Sequence, residues 1–260
     1  MSLSGGDARA EGARFYDLQD FPDDVPFYRS LIPEPEATVL ELGSGTGRVS
    51  LALAGACARV VGIELSPAML ALAQRKRVAL GEPLRGRVEF SRGDITRFEL
   101  GRRFDLIVAP FRVFQALESD AEVEGCLASV RRHLAPHGTC VLTMFNPRHA
   151  PGELRARWVR PAETIDWERE IDGERIVAGD RRSRLDLERL VLYPDLFFRR
   201  YRGGELVEEV VMPIAMRCWY PDQIAELLER QGFEITGAWG GYHGEPFGQG
   251  DELVVRFGAR

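Results

Sequence analysis

Apolar residues recur along this chain in short runs separated by helical patterns, beginning at residue 38. The runs 38–42, 60–63, 88–91, 104–109 and 139–145 have the length and near-continuous apolar character of strands covered on both faces. Between them the spacing turns helical. Val49, Leu51, Ala52, Leu53 and Ala54 predict a short apolar helix, and Ser66 can cap a second helix with Pro67 at its first position, continuing over 68–77. Val123, Leu127, Val130 and Leu134 recur every three to four positions within 121–134, so the crossover into the fifth strand is helical as well. Strands alternating with helices predict an α/β fold with a parallel sheet and helices on its faces.

After Asn146 the rhythm changes. Residues 168–177 and 184–211 contain alternating stretches with the two-residue turn candidates Asp172-Gly173 and Gly203-Gly204, which predict antiparallel hairpins. A helix over 221–231, closed by Gly232, is followed by strands at 233–239 and 252–257 joined by a glycine-rich loop. The first 35 residues, with Pro22, Pro26, Pro33 and Pro35, predict one or two short helices. The chain thus divides into an N-terminal helical segment (1–36), a core (37–150 and 218–260) and an inserted antiparallel β-sheet (151–217).

Composition narrows the classes. Of 260 residues, 45% are hydrophobic and 28% charged, which excludes a mainly disordered chain or a fibrous repeat. No apolar run reaches the ~18 residues of a membrane helix, and residues 1–9 lack the order of a signal peptide, so a cytoplasmic protein with no membrane partner is expected. The 34 basic and 40 acidic side chains give a net charge of -6, the reverse of the basic surplus of sequence-independent nucleic-acid binders. All the basic residues except Lys76 are arginine, which reads as a composition bias. Cys57, Cys126, Cys140 and Cys218 are far apart with no CxxC pair, so neither a metal site nor a disulfide framework is expected.

The chemistry is concentrated where strands are predicted to end. Glu41-Leu42-Gly43-Ser44-Gly45-Thr46-Gly47-Arg48 follows the first strand and opens a helix. Glycine there permits a tight turn and lets a ligand approach backbone N–H groups without meeting a Cβ. Glu64 ends the second strand, 21 residues after Gly43, and a carboxylate can accept from both hydroxyls of a ribose. A dinucleotide fingerprint would need glycine or alanine at the position held by Arg48. The third glycine is instead Gly47, and Glu41 precedes the turn by two, features that favour a ligand without a pyrophosphate. After the third strand, Asp94 could accept from an adenine amine while Ile95 packs on the ring. In an open α/β sheet these strand ends converge on one crevice.

Taken together, residues 39–48 with Val61-Gly62-Ile63-Glu64-Leu65-Ser66-Pro67-Ala68-Met69-Leu70, Arg92-Gly93-Asp94-Ile95 and His133-Leu134-Ala135-Pro136-His137-Gly138 resemble the class I S-adenosylmethionine-dependent methyltransferases, in the branch acting on small molecules. The resemblance implies a Rossmann-like seven-stranded sheet of order 3-2-1-4-5-7-6 with the last strand antiparallel and helices on both faces. It implies S-adenosylmethionine as cofactor and S-adenosylhomocysteine as product, with Gly43, Gly45 and Gly47 approaching the methionyl part, Glu64 on the ribose, and Asp94 and Ile95 at the adenine. Glu41, Ser44, Arg48, Leu65 and Met69 are further cofactor-binding candidates. His137 departs from the family, which often has glycine there. Phe15-Tyr16-Asp17 resembles the Tyr-Asp that precedes the core in small-molecule N-methyltransferases, where the tyrosine closes over the cofactor.

The loop Pro110-Phe111-Arg112-Val113-Phe114-Gln115 lies where such enzymes hold the acceptor, making Phe111, Arg112 and Gln115 substrate candidates, Arg112 for a carboxylate or phosphate unless it bridges to a neighbouring acid. A deprotonated amine needs no base. A hydroxyl would, and His149 and His243 are the histidines expected near the active face. The insertion is expected to overhang the acceptor pocket, as a cover, a homodimer interface or both. The expected function is methyl transfer to a small molecule, at nitrogen ahead of oxygen. A nicotinamide-dependent oxidoreductase and a cofactor-binding scaffold without turnover are the alternatives.

Overall fold

Strand β1, Thr38–Leu42, is buried from its second residue on, as its uninterrupted apolar character requires. The structure is a computed structural model that describes residues 11–260. Before β1, helical turns cover 11–16 and helix α1 spans Val25–Ser30. The chain then runs through α2 (Arg48–Leu53), β2 (Arg59–Glu64), α3 (Pro67–Val78), α4 (Leu84–Arg87), β3 (Val88–Arg92), β4 (Phe104–Ala109), α5 (Asp120–His133) and β5 (Leu134–Phe145). Two helix starts follow from their sequences. Ser66 accepts from the Met69 N–H with Pro67 at the first helical position, and Ser119 and Glu122 form a reciprocal capping box at α5. β5 begins five residues earlier than its apolar run, because Leu134 already pairs with Phe104 before a register irregularity that ends at Thr139. His137 there has φ 66°, the left-handed conformation that explains the family's glycine at this place.

The insertion holds an unpredicted helix, α6 (Pro151–Trp158), then β6 (Thr164–Ile171), β7 (Glu174–Asp186), β8 (Val191–Arg202), β9 (Glu205–Pro213) and β10 (Met216–Arg217). These five strands form one antiparallel sheet in which β8 pairs with β7, β9 and β10. Both hairpin turns fall where Asp172-Gly173 and Gly203-Gly204 predict them, with positive φ at all four residues. Residues 11–19 and 149–217 cluster as one compact unit, and 20–148 with 218–260 as another. The described part of the N-terminal segment, 11–36, is therefore shared between the two units: in the first, Phe15 stacks on Phe198 at 5.2 Å within an apolar cluster with Ile176, Val210 and Met212.

Arg181, Arg199, Arg200 and Arg202 of this sheet pair with carboxylates of the same unit. Arg199 faces Glu209 across β8 and β9 and also binds Glu163, while Arg181 binds the same two acids at 2.7 Å each. Arg200 and Arg202 converge on Glu174. Hydrogen bonds from Arg199 and then Arg181 hold Glu163 down at about 2, and those from Arg200 and Arg202 hold Glu174 below the usual carboxylate range. Groups depressed on folding contribute stability above the unfolded value of about 4.5 and lose it as pH falls toward about 2. Amide exchange protection in β8, corrected for intrinsic rates, is accordingly expected to decline between about pH 5 and pH 2.5 and to be weaker at high salt. Equal protection across that interval would show the ladder to be inert.

After the insertion come α7 (Pro221–Arg230), β11 (Phe233–Trp239) and β12 (Glu252–Ala259). The core sheet has the order β11-β12-β5-β4-β1-β2-β3. β1 to β5 pair in parallel, and β12 runs antiparallel to both β5 and β11. This is the expected 3-2-1-4-5-7-6 arrangement. One face packs on α5 and α7 through Val123, Leu127, Ile224 and Leu228, and the other receives Tyr28 of α1 with Val49 and Leu53 of α2. At roughly 1.5–3 kcal/mol for each fully buried large apolar side chain, these faces supply most of the rigidity on which the strand ends rest.

Candidate cofactor and acceptor site

The carboxyl ends of β1, β2 and β3 are sewn together by backbone bonds. The Ser44 N–H donates to Ile63 at 2.9 Å and the Gly93 N–H to Glu64 at 3.0 Å. The turn after β1 has φ of 63°, 55° and 85° at Gly43, Gly45 and Gly47. A Cβ on Gly43 would stand 2.6 Å from Val113, and one on Gly47 2.7 Å from Phe90. Glycine is thus demanded by packing behind the turn as well as by its backbone conformation.

Glu64 is buried, with Oε2 accepting from the Gly45 N–H at 2.9 Å and Oε1 from the Ser66 N–H at 2.7 Å. A carboxylate offers about four lone-pair positions, so acceptor capacity remains for two ribose hydroxyls. Asp94 Oδ1 accepts from the Thr96 N–H and hydroxyl at 2.9 and 2.7 Å, and Oδ2 lies 3.7 Å from Arg97. Ile95 is half-buried against the core, Leu65 is 54% exposed beside Glu64, and Met69 is buried in the first turn of α3. Ser44 carries a buried hydroxyl with no partner among the described residues.

Two motif residues are turned inward. Glu41 accepts from the Ser50 N–H at 2.8 Å and from its hydroxyl, so its carboxyl braces the first turn of α2. Burial pushes it up to about 8 against those bonds. Arg48 makes a two-pronged pair with the fully buried Asp24 at 2.5 and 2.8 Å and lies over the Phe21 ring. Both contacts come from the segment before α1, whose Asp24 and Phe21 were not legible as partners of Arg48 because nothing in a single sequence pairs an isolated acid with a distant arginine.

On the acceptor side, Phe111 and Arg112 have φ of 49° and 67°, so the chain turns sharply after β4. Phe111 meets Phe21 edge-on at 5.3 Å. Arg112 donates to Glu252 Oε1 at 2.7 Å and covers the Phe145 ring. It therefore bridges to an acid of the protein instead of standing open for a substrate anion. Gln115 is fully buried, and its Oε1 accepts from the Phe145 N–H at 2.6 Å, a brace on the end of β5. His243 is exposed in the loop before β12, where its N–H donates to Glu245. Asn146, which the sequence did not single out, ties this loop down by donating to the carbonyls of Gly248 and Gly250 at 3.0 and 2.8 Å. Tyr16 and His149 belong to the insertion's unit.

These groups fit S-adenosylmethionine. Acceptor-only carboxylates stand at the ends of β2 and β3, an unpartnered hydroxyl sits inside the turn, and an apolar side chain is exposed next to Glu64. Among the described residues no cluster of His, Cys, Asp or Glu is placed to hold a metal ion, and no helix is long and apolar enough to cross a membrane.

Residues 39–138 match a family described as a methyltransferase domain. Over 234 residues, 86% of this chain and 83% of the relative, the sequence is 28% identical to the cypemycin N-terminal methyltransferase of a Streptomyces species. The fold matches the CcbJ methyltransferase from Streptomyces caelestis with a TM-score of 0.75 at 24% identity, covering 95% of this chain and 96% of that one. It also matches the S-adenosylmethionine-bound amino pentose methyltransferase CalS10 from Micromonospora echinaspora with a TM-score of 0.68 at 22% identity, covering 99% and 96%. The fold is that of a class I methyltransferase, and the domain match together with the relatives supports an S-adenosylmethionine-dependent methyltransferase.

Proposed function

We propose that this enzyme methylates nitrogen on a small-molecule acceptor. The observation that carries the reading is the 28% identity, along 86% of the chain, to an enzyme named as an N-terminal methyltransferase. An amino pentose methyltransferase among the structural neighbours supports the same element.

S-adenosylmethionine, when bound, supplies a methyl group on a positively charged sulfur that is already a good leaving group, so the protein contributes mainly positioning and exclusion of water. Glu64 would hold the ribose, Asp94 and Ile95 the adenine, and the glycine turn with Ser44 the methionyl part. On the acceptor side, the turn at Phe111 and Arg112, held by Gln115 and Glu252 at the end of β5, forms a rigid wall. An uncharged amine brings its own lone pair and requires no histidine, which agrees with the exposed position of His243.

The test is S-adenosylhomocysteine release with amine acceptors, a nucleotide-linked aminosugar and an alanyl peptide among them, each beside its hydroxyl counterpart. Turnover of amines with the new methyl on nitrogen is expected. Turnover confined to the hydroxyl compounds would sink the nitrogen assignment.

A further inference from the structure

Glu252 is a carboxylate whose bonding is half complete. It opens β12 directly opposite Phe145, the last residue of β5, and so stands on the edge of the sheet where β1, β4 and β5 end and where ligands of such sheets bind. Oε1 accepts from Arg112, the side chain is 13% exposed, and Oε2 is buried with no partner among the described residues. Folded proteins leave few buried polar atoms unmatched, because each forgoes its bonds to water without replacement.

The surroundings say what is missing. Burial raises the Glu252 carboxyl above its usual range, Arg112 opposes this, and the charges of Asp251 and Asp24 add to it. Burial, and after it the Glu252 charge, likewise pushes Tyr242 up. Asp24 is answered by Arg48 and Asp251 by Arg148 at 2.8 Å, leaving Arg112 to offset Glu252. A donor of N–H bonds is the complement of this arrangement. The Arg112 guanidinium, fixed by its left-handed backbone and the Phe145 ring, holds the carboxylate in place as a positioning residue.

We propose that Glu252 Oε2 accepts a hydrogen bond from the amino group of the methyl acceptor, selecting an amine and setting its orientation. The inference rests on the nitrogen reading above. An ionised carboxylate only accepts, so it engages the amine through N–H and leaves the nitrogen lone pair unengaged. That lone pair is what the new bond to carbon requires.

Glu252→Gln separates this role from a structural one. Its amide oxygen can still accept from Arg112, which turns the NH2 toward the Oε2 position and puts a donor where the amine needs an acceptor. With alanyl-alanine and a thymidine-diphosphate-linked amino hexose as probes, KM for the amine is expected to rise by about tenfold or more. The S-adenosylhomocysteine dissociation constant and the melting temperature should stay near native, and Glu252→Asp should recover part of the loss. If Glu252→Gln lowers cofactor affinity, the KM of Glu252→Asp decides in its place. Amine turnover with KM unmoved in the deciding variant overturns the inference alone. No amine turnover by the native enzyme overturns it together with the nitrogen reading.

Discussion

Replacing Glu64 with alanine is expected to weaken S-adenosylmethionine and S-adenosylhomocysteine binding by about 10- to 100-fold in calorimetry. Hydrogen bonds to a charged group contribute roughly 1.5–3 kcal/mol, and each 1.4 kcal/mol is a factor of ten. The structure adds a second route to the same loss. Glu64 also receives the Gly45 and Ser66 N–H groups, so alanine would release the glycine turn from the end of β2 and uncap the approach to α3. The two contributions are separable with Glu64→Gln, which keeps an oxygen for one of those amides while removing the charge. Affinity for S-adenosylhomocysteine unchanged in both variants would show that Glu64 does not meet the ribose.

Asp24→Ala is expected to lower the melting temperature by about 6–12 °C. Removing one member of a buried ion pair costs about 3–5 kcal/mol, and the low end applies because the Arg48 side chain is 22% exposed. At this chain length about 2–4 °C is lost for each kcal/mol. The penalty arises from leaving the Arg48 guanidinium, pressed over Phe21, without its two-pronged acceptor. The double variant Asp24→Leu with Arg48→Met should regain much of the loss, since apolar replacement of a whole buried pair is often neutral. A single-variant shift of only a degree or two in differential scanning calorimetry would mean that the pair contributes nothing to the core.

The core sheet was legible because each of its signals is local. Continuous apolar runs marked β1 to β4, Ser66-Pro67 marked the start of α3, and the order of the strands followed from the motif resemblance. The hairpins of the insertion were legible from Asp172-Gly173 and Gly203-Gly204, since positive φ selects those residues. Helix α6 was not, because Pro151-Gly152 with arginines at 155 and 157 gives a weak amphipathic pattern at the edge of a β-rich segment.

In the site, residue types and strand-end placement could be read from the motif spacing, but side-chain direction could not. Glu41, Arg48, Arg112 and Gln115 are polar groups near the crevice that bond within the protein to Ser50, Asp24, Glu252 and Phe145. Each partner except Ser50 lies at least 24 positions away along the chain, a separation that spacing rules do not reach. Glu252 was hidden for the same reason. It is an acid at the start of a strand, an ordinary solvated position until β12 is placed beside β5 and Arg112 is brought across to it.

Methyl transfer from S-adenosylmethionine to an amine nitrogen is decided by tandem mass spectrometry of the product formed from a labelled-methyl cofactor. One or more labelled methyl groups are expected on nitrogen of the aminosugar or peptide probe, with S-adenosylhomocysteine formed in equal amount. Label found only on oxygen, or no labelled product from any amine while the cofactor binds, would contradict it.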